Sequence, residues 1–343
     1  MCTALSLNNK KKYLFGRNMD IENPFHQNIV ITPREYVWDM RFQKPMKQTY
    51  AMIGMAFPYK DVENNNKDYP LYAEGANEHG LAAAGLNFPV TAYYPESGTI
   101  EGAFELTPYE LIPWVLANFK TTDEVEDFLS KNNLRLVNKP ISSFIPCAEL
   151  HFIIADKNDK SIVLEPCRDG LKVHKNTLGI LTNNPVFDWQ IINLSFYQSL
   201  SPRQQENVGW SNQNINPLGR GFGAHGIPGD WTPASRFVRT AYLKSITSTD
   251  LKDDELLSQF FHILDNVAVP NDTILVQDPN KGTISDITLY SCCVDLNTST
   301  YYYKTFYNNQ LTAFELHNEN LDSNQIIVYP FSSQQEIKFA NRK

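Results

Sequence analysis

The sequence predicts an α+β protein built from large antiparallel sheets with helices on their outer faces. Segments of strand character and of helix character occur in blocks, in the order strands, helices, strands, helices, strands. This order lacks the regular strand–helix–strand alternation of parallel sheets. Hydrophobic residues make up 42% and charged residues 20% of the chain, the balance of a globular protein with a large core. Since no internal repeat and no break in composition is visible, we expect one domain over residues 1–343.

The strand blocks begin with a β-hairpin at the N-terminus. Residues 3–7 and 13–18 have strand character and flank the polar turn 8–12. A tetrapeptide, Asn77-Glu78-His79-Gly80, predicts the turn before another strand. The other predicted strands are 51–57, 80–88, 151–155, 161–165, 171–174, 179–182, 273–277, 287–294, 301–307 and 311–315.

Capping patterns mark the predicted helices. Thr107, Pro108 and Glu110 combine an N-cap, a proline at the first helical position and a capping-box glutamate, which predicts a helix to about residue 119. Thr121 begins a similar pattern that predicts a second helix through residue 129. Further helices are predicted at 188–197, 233–246 and 254–267.

Charge and cysteine usage exclude several classes of protein. The net charge of −8 argues against nucleic acid as the main partner, because phosphate binding needs clustered Lys and Arg. No segment approaches the roughly 18 apolar residues of a membrane span, and no secretory signal follows Met1. Five cysteines without CxxC spacing indicate reduced thiols, so we expect a cytoplasmic protein. Since the histidines show no ligand spacing, we expect no metal and no cofactor.

The candidate for chemistry begins with Cys2. If Met1 is removed, Cys2 carries both a thiol and a free α-amine. An α-amine, whose ordinary pKa is about 7.7–8.0, can serve as a general base near neutral pH without a histidine. Cys2 is therefore a candidate N-terminal nucleophile.

The predicted hairpin brings Arg17 and Asp20 back beside Cys2. A guanidinium next to a thiol favours the thiolate, and a carboxylate can orient the α-amine. Positions 17 and 20 differ by an odd number, so a straight strand would point these side chains to opposite faces. We therefore expect the strand to end or bend near Asn18.

The motifs of the chain resemble the choloylglycine hydrolase family, which comprises bile salt hydrolases and penicillin V acylases among the N-terminal nucleophile hydrolases. The likeness runs in order from residue 1 to about residue 330. It is carried by Met1-Cys2-Thr3, Phe15-Gly16-Arg17-Asn18-Met19-Asp20, Asn77-Glu78-His79-Gly80-Leu81, Ala84-Gly85-Leu86-Asn87-Phe88-Pro89, Leu181-Thr182-Asn183-Asn184-Pro185, Gly226-Ile227-Pro228-Gly229-Asp230 and Thr232-Pro233-Ala234-Ser235-Arg236-Phe237.

The resemblance implies a four-layer αββα fold and a set of site residues. It implies that Cys2 attacks an amide carbonyl, that Arg17 supports the thiolate and that Asp20 holds the α-amine. It makes Asn183 and Asn87 donors of an oxyanion hole and Arg236 a further active-site arginine. It also implies a homotetramer, and a substrate pocket lined by Met19, Ile141 and Ile145.

Asn87 bears on the substrate that the resemblance implies. Penicillin V acylases tend to carry an aromatic residue at this position, so Asn87 favours glycine- or taurine-conjugated bile salts as substrates. The segment between Met55 and Tyr69, which includes Glu63-Asn64-Asn65-Asn66-Lys67, looks longer than in the family. Because the family uses this region to shape the mouth of the pocket, the preferred conjugate stays open.

Three alternatives remain at the level of sequence. The first is a penicillin V acylase or another N-acyl amidase with the same machinery. The second is a cysteine enzyme with a Cys–His pair, although no segment resembles a known signature of that kind. The third is a bile-acid or lipid binder without activity, which would have no need of a nucleophile.

Overall fold

A first sheet holds the N-terminal hairpin in its interior. The computed structural model describes residues 1–61, 66–143, 145–278 and 280–341. All strand pairs in this sheet are antiparallel. In spatial order its strands are Ile180–Leu181, Cys2–Asn8, Tyr13–Ile21, Gly282–Asp295, Thr300–Thr305 and Thr312–Glu315, and Ile274–Asp278 pairs with the start of the long strand.

A second antiparallel sheet lies against the first. Its spatial order is Gly170–Lys175, Ser161–Cys167, Leu150–Asp156, Leu81–Asn87, Lys67–Asn77, Met52–Asp61, Asn28–Thr32 and Ile327–Tyr329. Apolar side chains from both sheets share one core cluster, which includes Leu5, Phe15, Ile53 and Ile153. The two sheets are therefore packed face to face.

Helices cover the outer face of each sheet. Pro233–Ser245 and Asp253–Asn266 pack on the first sheet, where Phe237 and Phe260 enter its core. Leu111–Asn118 and Thr122–Lys131 pack on the second sheet and build a separate core around Trp114. This arrangement confirms the four-layer αββα prediction.

The burial of the central strands follows from this layering. In Cys2–Asn8 and Tyr13–Ile21, successive residues point to opposite faces, yet nearly all of them are buried. A strand that is covered on both faces does not need alternating polar residues. Polar groups that do lie on these strands, such as Arg17 and Asp20, are therefore held inside the protein and need internal partners.

Short elements complete the fold. The described residues include the paired strands Val37–Trp38 with Met46–Lys47, Phe104–Leu106 with Leu134–Leu136, and Val208–Trp210 with Gln213–Ile215. They also include the helix Phe187–Asn193 and the 3₁₀ segments Leu194–Tyr197, Phe222–Ala224 and Leu316–Asn318.

One local expectation needs correction. The helix expected from Thr107 begins only at Leu111. Glu110 does accept a hydrogen bond from the Thr107 backbone N–H at 2.8 Å, so one half of the capping box forms as part of a turn before the helix. The segment between Met55 and Tyr69, which is predicted to be longer than in the family, forms a long hairpin that is paired as far as Asp61 with Lys67. Residues 62–65 of that extension lie outside the described part of the chain.

Gly16 provides a test of how closely these strands pack. A Cβ at Gly16 would lie 2.0 Å from the Cys292 carbonyl oxygen, which belongs to a neighbouring strand rather than a flexible side chain. We expect Gly16→Ala to lower the free energy of unfolding by about 3 kcal/mol, since overpacking of a rigid core usually costs 1–3 kcal/mol. Urea unfolding followed by circular dichroism measures the change. Gly229→Ala is the matched control because nothing lies within 4 Å of the position that a Cβ would take there, and an equal loss in both variants would contradict the prediction.

Candidate active site

Cys2 begins the strand Cys2–Asn8 and faces a cavity. Its strand partner in the hairpin is Met19, and only 4% of Cys2 is exposed. The peptide nitrogen of Cys2 donates a hydrogen bond to Asn183 Oδ1 at 2.8 Å. If Met1 is removed, this nitrogen becomes the free α-amine, and Asn183 is already in place as its hydrogen-bond acceptor.

Arg17 makes the closest contact with the thiol. Its Nη2 donates to Cys2 Sγ, and its Nη1 donates to the Gly85 carbonyl at 2.6 Å. Nη1 also lies 3.8 Å from Glu74 Oε2, and both side chains are buried. Burial by itself lowers the pKa of Arg17, but the negative charges of a Cys2 thiolate and of Glu74 outweigh it and raise that pKa. Arg17 is therefore a permanent cation held against the sulfur.

Asp20 lies on the opposite face of the same strand. The strand Tyr13–Ile21 runs past Asn18, so the expected end or bend at that residue is wrong. The irregularity lies in the neighbouring strand, between Thr288 and Tyr290. Arg17 thus faces the second sheet, whereas Asn18 donates to the Leu264 carbonyl on the helical side. By the same alternation Asp20 also faces the helices.

Asp20 is buried among groups that can hold its charge. Its Oδ1 accepts from Thr288 Oγ1 at 2.6 Å, and its Oδ2 lies 3.9 Å from Arg236 Nη1. Among the described residues, Oδ2 has no hydrogen-bond donor. Burial raises the pKa of Asp20, and the Arg236 guanidinium acts against that rise. The backbone of Asp20 also pairs with Met1 in both directions, at 2.5 and 3.0 Å.

Arg236 connects the helix Pro233–Ser245 to the nucleophile strand. Thr232 caps this helix through the Ser235 N–H, which places Arg236 in its first turn. Arg236 Nη1 donates to the Cys2 carbonyl and to Thr3 Oγ1, the latter at 2.6 Å. Its Nη2 donates to Asn183 Oδ1 at 2.8 Å. Burial lowers the pKa of Arg236, although Asp20 opposes this shift.

Asn183 and Asn87 meet next to Cys2. Two donors, the Cys2 N–H and Arg236 Nη2, fix the amide oxygen of Asn183. The amide nitrogen therefore points away from them, and it donates to the Asn87 carbonyl at 2.6 Å. Asn87 is the last residue of the strand Leu81–Asn87, and it lines the cavity. Neutral amide donors so placed can stabilise a charge that develops on a carbonyl oxygen bound at Cys2.

The cavity above Cys2 has a volume of about 510 Å³. Met19 and Ile145 belong to its wall. Its apolar wall also includes Phe25, Phe57, Leu71, Tyr72 and Leu150. Ile141 does not join the described lining residues; it is 2% exposed and packs in the core around Trp114, so its assignment as a pocket residue is corrected. The size and lining suit a small molecule with a large apolar body.

Two acidic residues of the site were not expected from sequence. Glu74 accepts hydrogen bonds from Tyr290 Oη and Tyr301 Oη, each at 2.8 Å. It lies near Nη1 of Arg17, whereas Cys2 contacts Nη2. A glutamate within the small and apolar stretch Leu71–Ala76 was the signal for a buried carboxylate. Asp286 lies with its Oδ2 3.6 Å from the Met1 amine, and burial raises its pKa to about 6. No local pattern in the sequence marks Asp286.

Other kinds of site find no support in the described ranges. Within them, no three His, Cys, Asp or Glu side chains come together as a metal site would require. The helices described there are too short or too polar to cross a membrane. The cavity is lined by the residues that carry the thiol, the guanidinium in contact with it and one of the two amides, namely Cys2, Arg17 and Asn87.

Comparison with known proteins identifies relatives over the full chain. Residues 2–329 match the family of linear amide C–N hydrolases, choloylglycine hydrolase family. A bile salt hydrolase/transferase of Clostridium perfringens is 41% identical over 99% of this chain and 100% of its own length. The bile salt hydrolase/transferase of Lactiplantibacillus plantarum is 38% identical, again over 99% of this chain and 100% of the relative.

Solved structures agree with the sequence relatives. A variant of the conjugated bile acid hydrolase from Clostridium perfringens superposes with a TM-score of 0.89 at 39% identity, covering 99% of this chain and 100% of that one. A penicillin V acylase from Agrobacterium tumefaciens, at 18% identity and the same coverage, shares the fold with a TM-score of 0.73. The match of the family model over nearly the whole chain, together with relatives of about 40% identity, shows that this protein belongs to the choloylglycine hydrolase family.

Proposed function

We propose that this protein hydrolyses the amide bond of glycine- or taurine-conjugated bile salts and releases the bile acid and the amino acid. The observation that carries the proposal is the Cys2 thiol, held by Arg17 at a cavity of about 510 Å³ whose wall is mostly apolar. A steroid is a rigid apolar body that such a cavity can bury. The names of the relatives in Clostridium perfringens and Lactiplantibacillus plantarum support this choice of substrate.

In the proposed reaction Cys2 attacks the carbonyl carbon of the amide. Arg17 stabilises the thiolate by direct contact with the sulfur, and Glu74 fixes the guanidinium from its other side. The attack forms a tetrahedral intermediate with a negative oxygen. Collapse of this intermediate breaks the C–N bond and leaves the bile acid bound to Cys2 as a thioester.

The α-amine of Cys2 moves the protons in this scheme. Freed of Met1, it gives a proton to the leaving amine of glycine or taurine. It then takes a proton from the water that attacks the thioester carbonyl, and the C–S bond breaks to release the bile acid and restore the Cys2 thiolate. Asp20 holds the amine, and the buried Asp20 Oδ2, which lacks a described hydrogen-bond donor, supports this role. Asn183 Oδ1 already accepts from the same nitrogen at 2.8 Å.

The oxyanion is assigned to Asn183 and Asn87. One hydrogen of the Asn183 amide binds the Asn87 carbonyl, and the other is left for the substrate oxygen. Arg236 acts one step away: it orients the Asn183 amide and the Cys2 backbone rather than the substrate.

We also propose that residues 1–343 act as one domain, that the enzyme is cytoplasmic and that it assembles as a homotetramer. Its five cysteines form no disulfide in the described residues, which supports a reducing compartment. The segment 192–218 exposes large apolar side chains, including Ile192 at 65%, Phe196 at 79%, Trp210 at 71% and Leu218 at 97%. Large exposed apolar side chains in one segment favour an interaction surface, so we assign this segment to contacts between subunits.

Bile-salt turnover is the first prediction. Incubation with glycocholate or taurocholate should release glycine or taurine, measured by mass spectrometry. Cys2→Ser should abolish the release, because the thiolate is the nucleophile. If neither conjugate is cleaved by wild-type protein whose N-terminus is confirmed as Cys2, bile salts are the wrong substrate, and cleavage of penicillin V would then identify the alternative acylase.

Arg17→Leu should slow alkylation of Cys2 by iodoacetamide at neutral pH about tenfold, because the positive charge that contacts the reacting sulfur is lost. The rate is followed on the N-terminal peptide by mass spectrometry, since Cys147 and Cys167 are also partly exposed. Their alkylation serves as the internal control and should not change. Equal rates at Cys2 in both proteins would show that Arg17 does not support the thiolate.

The proposed assembly predicts the mass in solution. Light scattering should give about 157 kDa, four times the 39.2 kDa chain. Trp210→Asp combined with Leu218→Asp should dissociate the assembly, because charges would be buried in an apolar contact. Leu275→Asp, at a side chain that is 60% exposed outside this segment, is the matched control and should leave the mass unchanged. A monomeric wild-type protein would disprove the tetramer.

A further inference from the structure

We propose that His151 is a positioning residue that holds Asn87 and Asn183, the two oxyanion residues, in register with each other. This inference rests on the proposed function. His151 lies in the strand Leu150–Asp156 of the second sheet, and its side chain is wholly buried. It touches the residue next to each asparagine, Phe88 on one side and Thr182 on the other.

The first contact fixes the backbone before Asn183. His151 Nε2 lies 2.8 Å from the Thr182 carbonyl oxygen. A carbonyl oxygen only accepts hydrogen bonds, so Nε2 must carry the hydrogen. Thr182 also contacts the start of the helix Pro233–Ser245, because its hydroxyl donates to the Pro233 carbonyl at 3.0 Å. A shift of His151 would therefore move the peptide that carries Asn183.

The second contact fixes the backbone after Asn87. The rings of Phe88 and His151 are stacked, with centroids 4.2 Å apart and planes inclined by 8°. Phe88 is fully buried, whereas Asn87 is exposed to the cavity. One imidazole thus supports the ends of two segments that are almost 100 residues apart. The Asn183 side-chain amide also donates to the backbone carbonyl of Asn87 at 2.6 Å. This hydrogen bond couples the positions of the two asparagines.

The third contact fixes the ring of His151 itself. Its Nδ1 lies 3.3 Å from Glu165 Oε1, which also accepts from the Phe187 N–H at 2.9 Å. Burial alone would raise the pKa of Glu165, but its contacts with His151 and His174 lower that pKa to about 2. Glu165 is therefore an ionised anchor that holds both the His151 ring and the start of the helix Phe187–Asn193. Among the contacts of the described residues, neither His151 nor Glu165 touches Cys2 or Arg17. His151 reaches Cys2 only through Asn183, so it should act on the oxyanion hole and leave the contact between Arg17 and the thiol unchanged.

The test separates positioning from folding by comparing two reactions of Cys2. Amide hydrolysis forms an oxyanion, whereas alkylation by iodoacetamide does not. His151→Phe keeps an aromatic ring against Phe88 and loses two contacts, the hydrogen bond to Thr182 and the contact with Glu165, which His174→Gln perturbs from its other side. The variant should lower kcat for glycocholate about ten- to hundredfold, which is less than the loss of about 10²–10³ that follows removal of one oxyanion donor. KM and the alkylation rate should stay within about twofold of the wild-type values.

Two further variants complete the design. His151→Gln restores a donor for the Thr182 carbonyl but loses the ring stacked on Phe88, so it should recover part of the lost kcat. His174→Gln is the matched control: it removes the other histidine on Glu165, contacts neither Phe88 nor Thr182, and should leave kcat within about twofold. If His151→Phe does not fold, Phe88→Leu removes the stacking partner without stranding a polar group and should show a smaller loss, again confined to kcat.

The outcomes that overturn the proposal are distinct. An unchanged kcat in His151→Phe shows that the ring does not position the oxyanion hole. A parallel fall of kcat, alkylation rate and melting temperature shows that His151 serves the core only. If wild-type protein does not cleave bile salts, the proposed function fails by itself, and the same variants are compared on penicillin V, whose amide forms the same oxyanion. A wild-type protein inactive on both substrates overturns both proposals.

Discussion

The site depends on one buried cation, Arg17, placed between the sulfur of Cys2 and the carboxylate of Glu74. A guanidinium fully removed from water costs several kcal/mol unless charges and acceptors surround it. Here the Gly85 carbonyl, Glu74 and the sulfur supply these partners. They come from both sheets, so the stacking of the sheets and the charge of the site stabilise each other. Removal of Glu74 would leave Arg17 with the sulfur as its main anionic partner.

A second guanidinium, that of Arg236, contacts a different part of Cys2 from the one that Arg17 contacts. Arg17 reaches Cys2 from the face toward the second sheet, and Arg236 reaches it from the helical face. The first contacts the thiol, whereas the second contacts the backbone and Asn183. A strand makes this division possible because its side chains and main chain present different groups to its two sides. The thiol and the nitrogen of Cys2 therefore lie in separate environments.

Local sequence patterns predicted the hairpin and therefore the approach of Arg17 to Cys2, since only fifteen residues separate them. They failed on the strand geometry: the expected bend at Asn18 assumed that both partners of Cys2 must share one face. Asn87, Asn183 and Arg236 came from the family resemblance, because contacts across up to 234 residues leave no local periodicity. Glu74 and His151 act through sheet stacking and ring contacts, and those depend on the packed structure rather than on any motif.

Met1 shows how closely the site is tied to the end of the strand. Its backbone pairs with Asp20 in both directions and so extends the strand Cys2–Asn8 by one residue. Its amine approaches Asp286, and Met1 is part of the cavity wall. Removal of Met1 would therefore free a donor and an acceptor on Asp20, take the cation away from Asp286 and enlarge the space beside the thiol. The same cleavage that creates the proposed base would also open the room in which an amide can reach it.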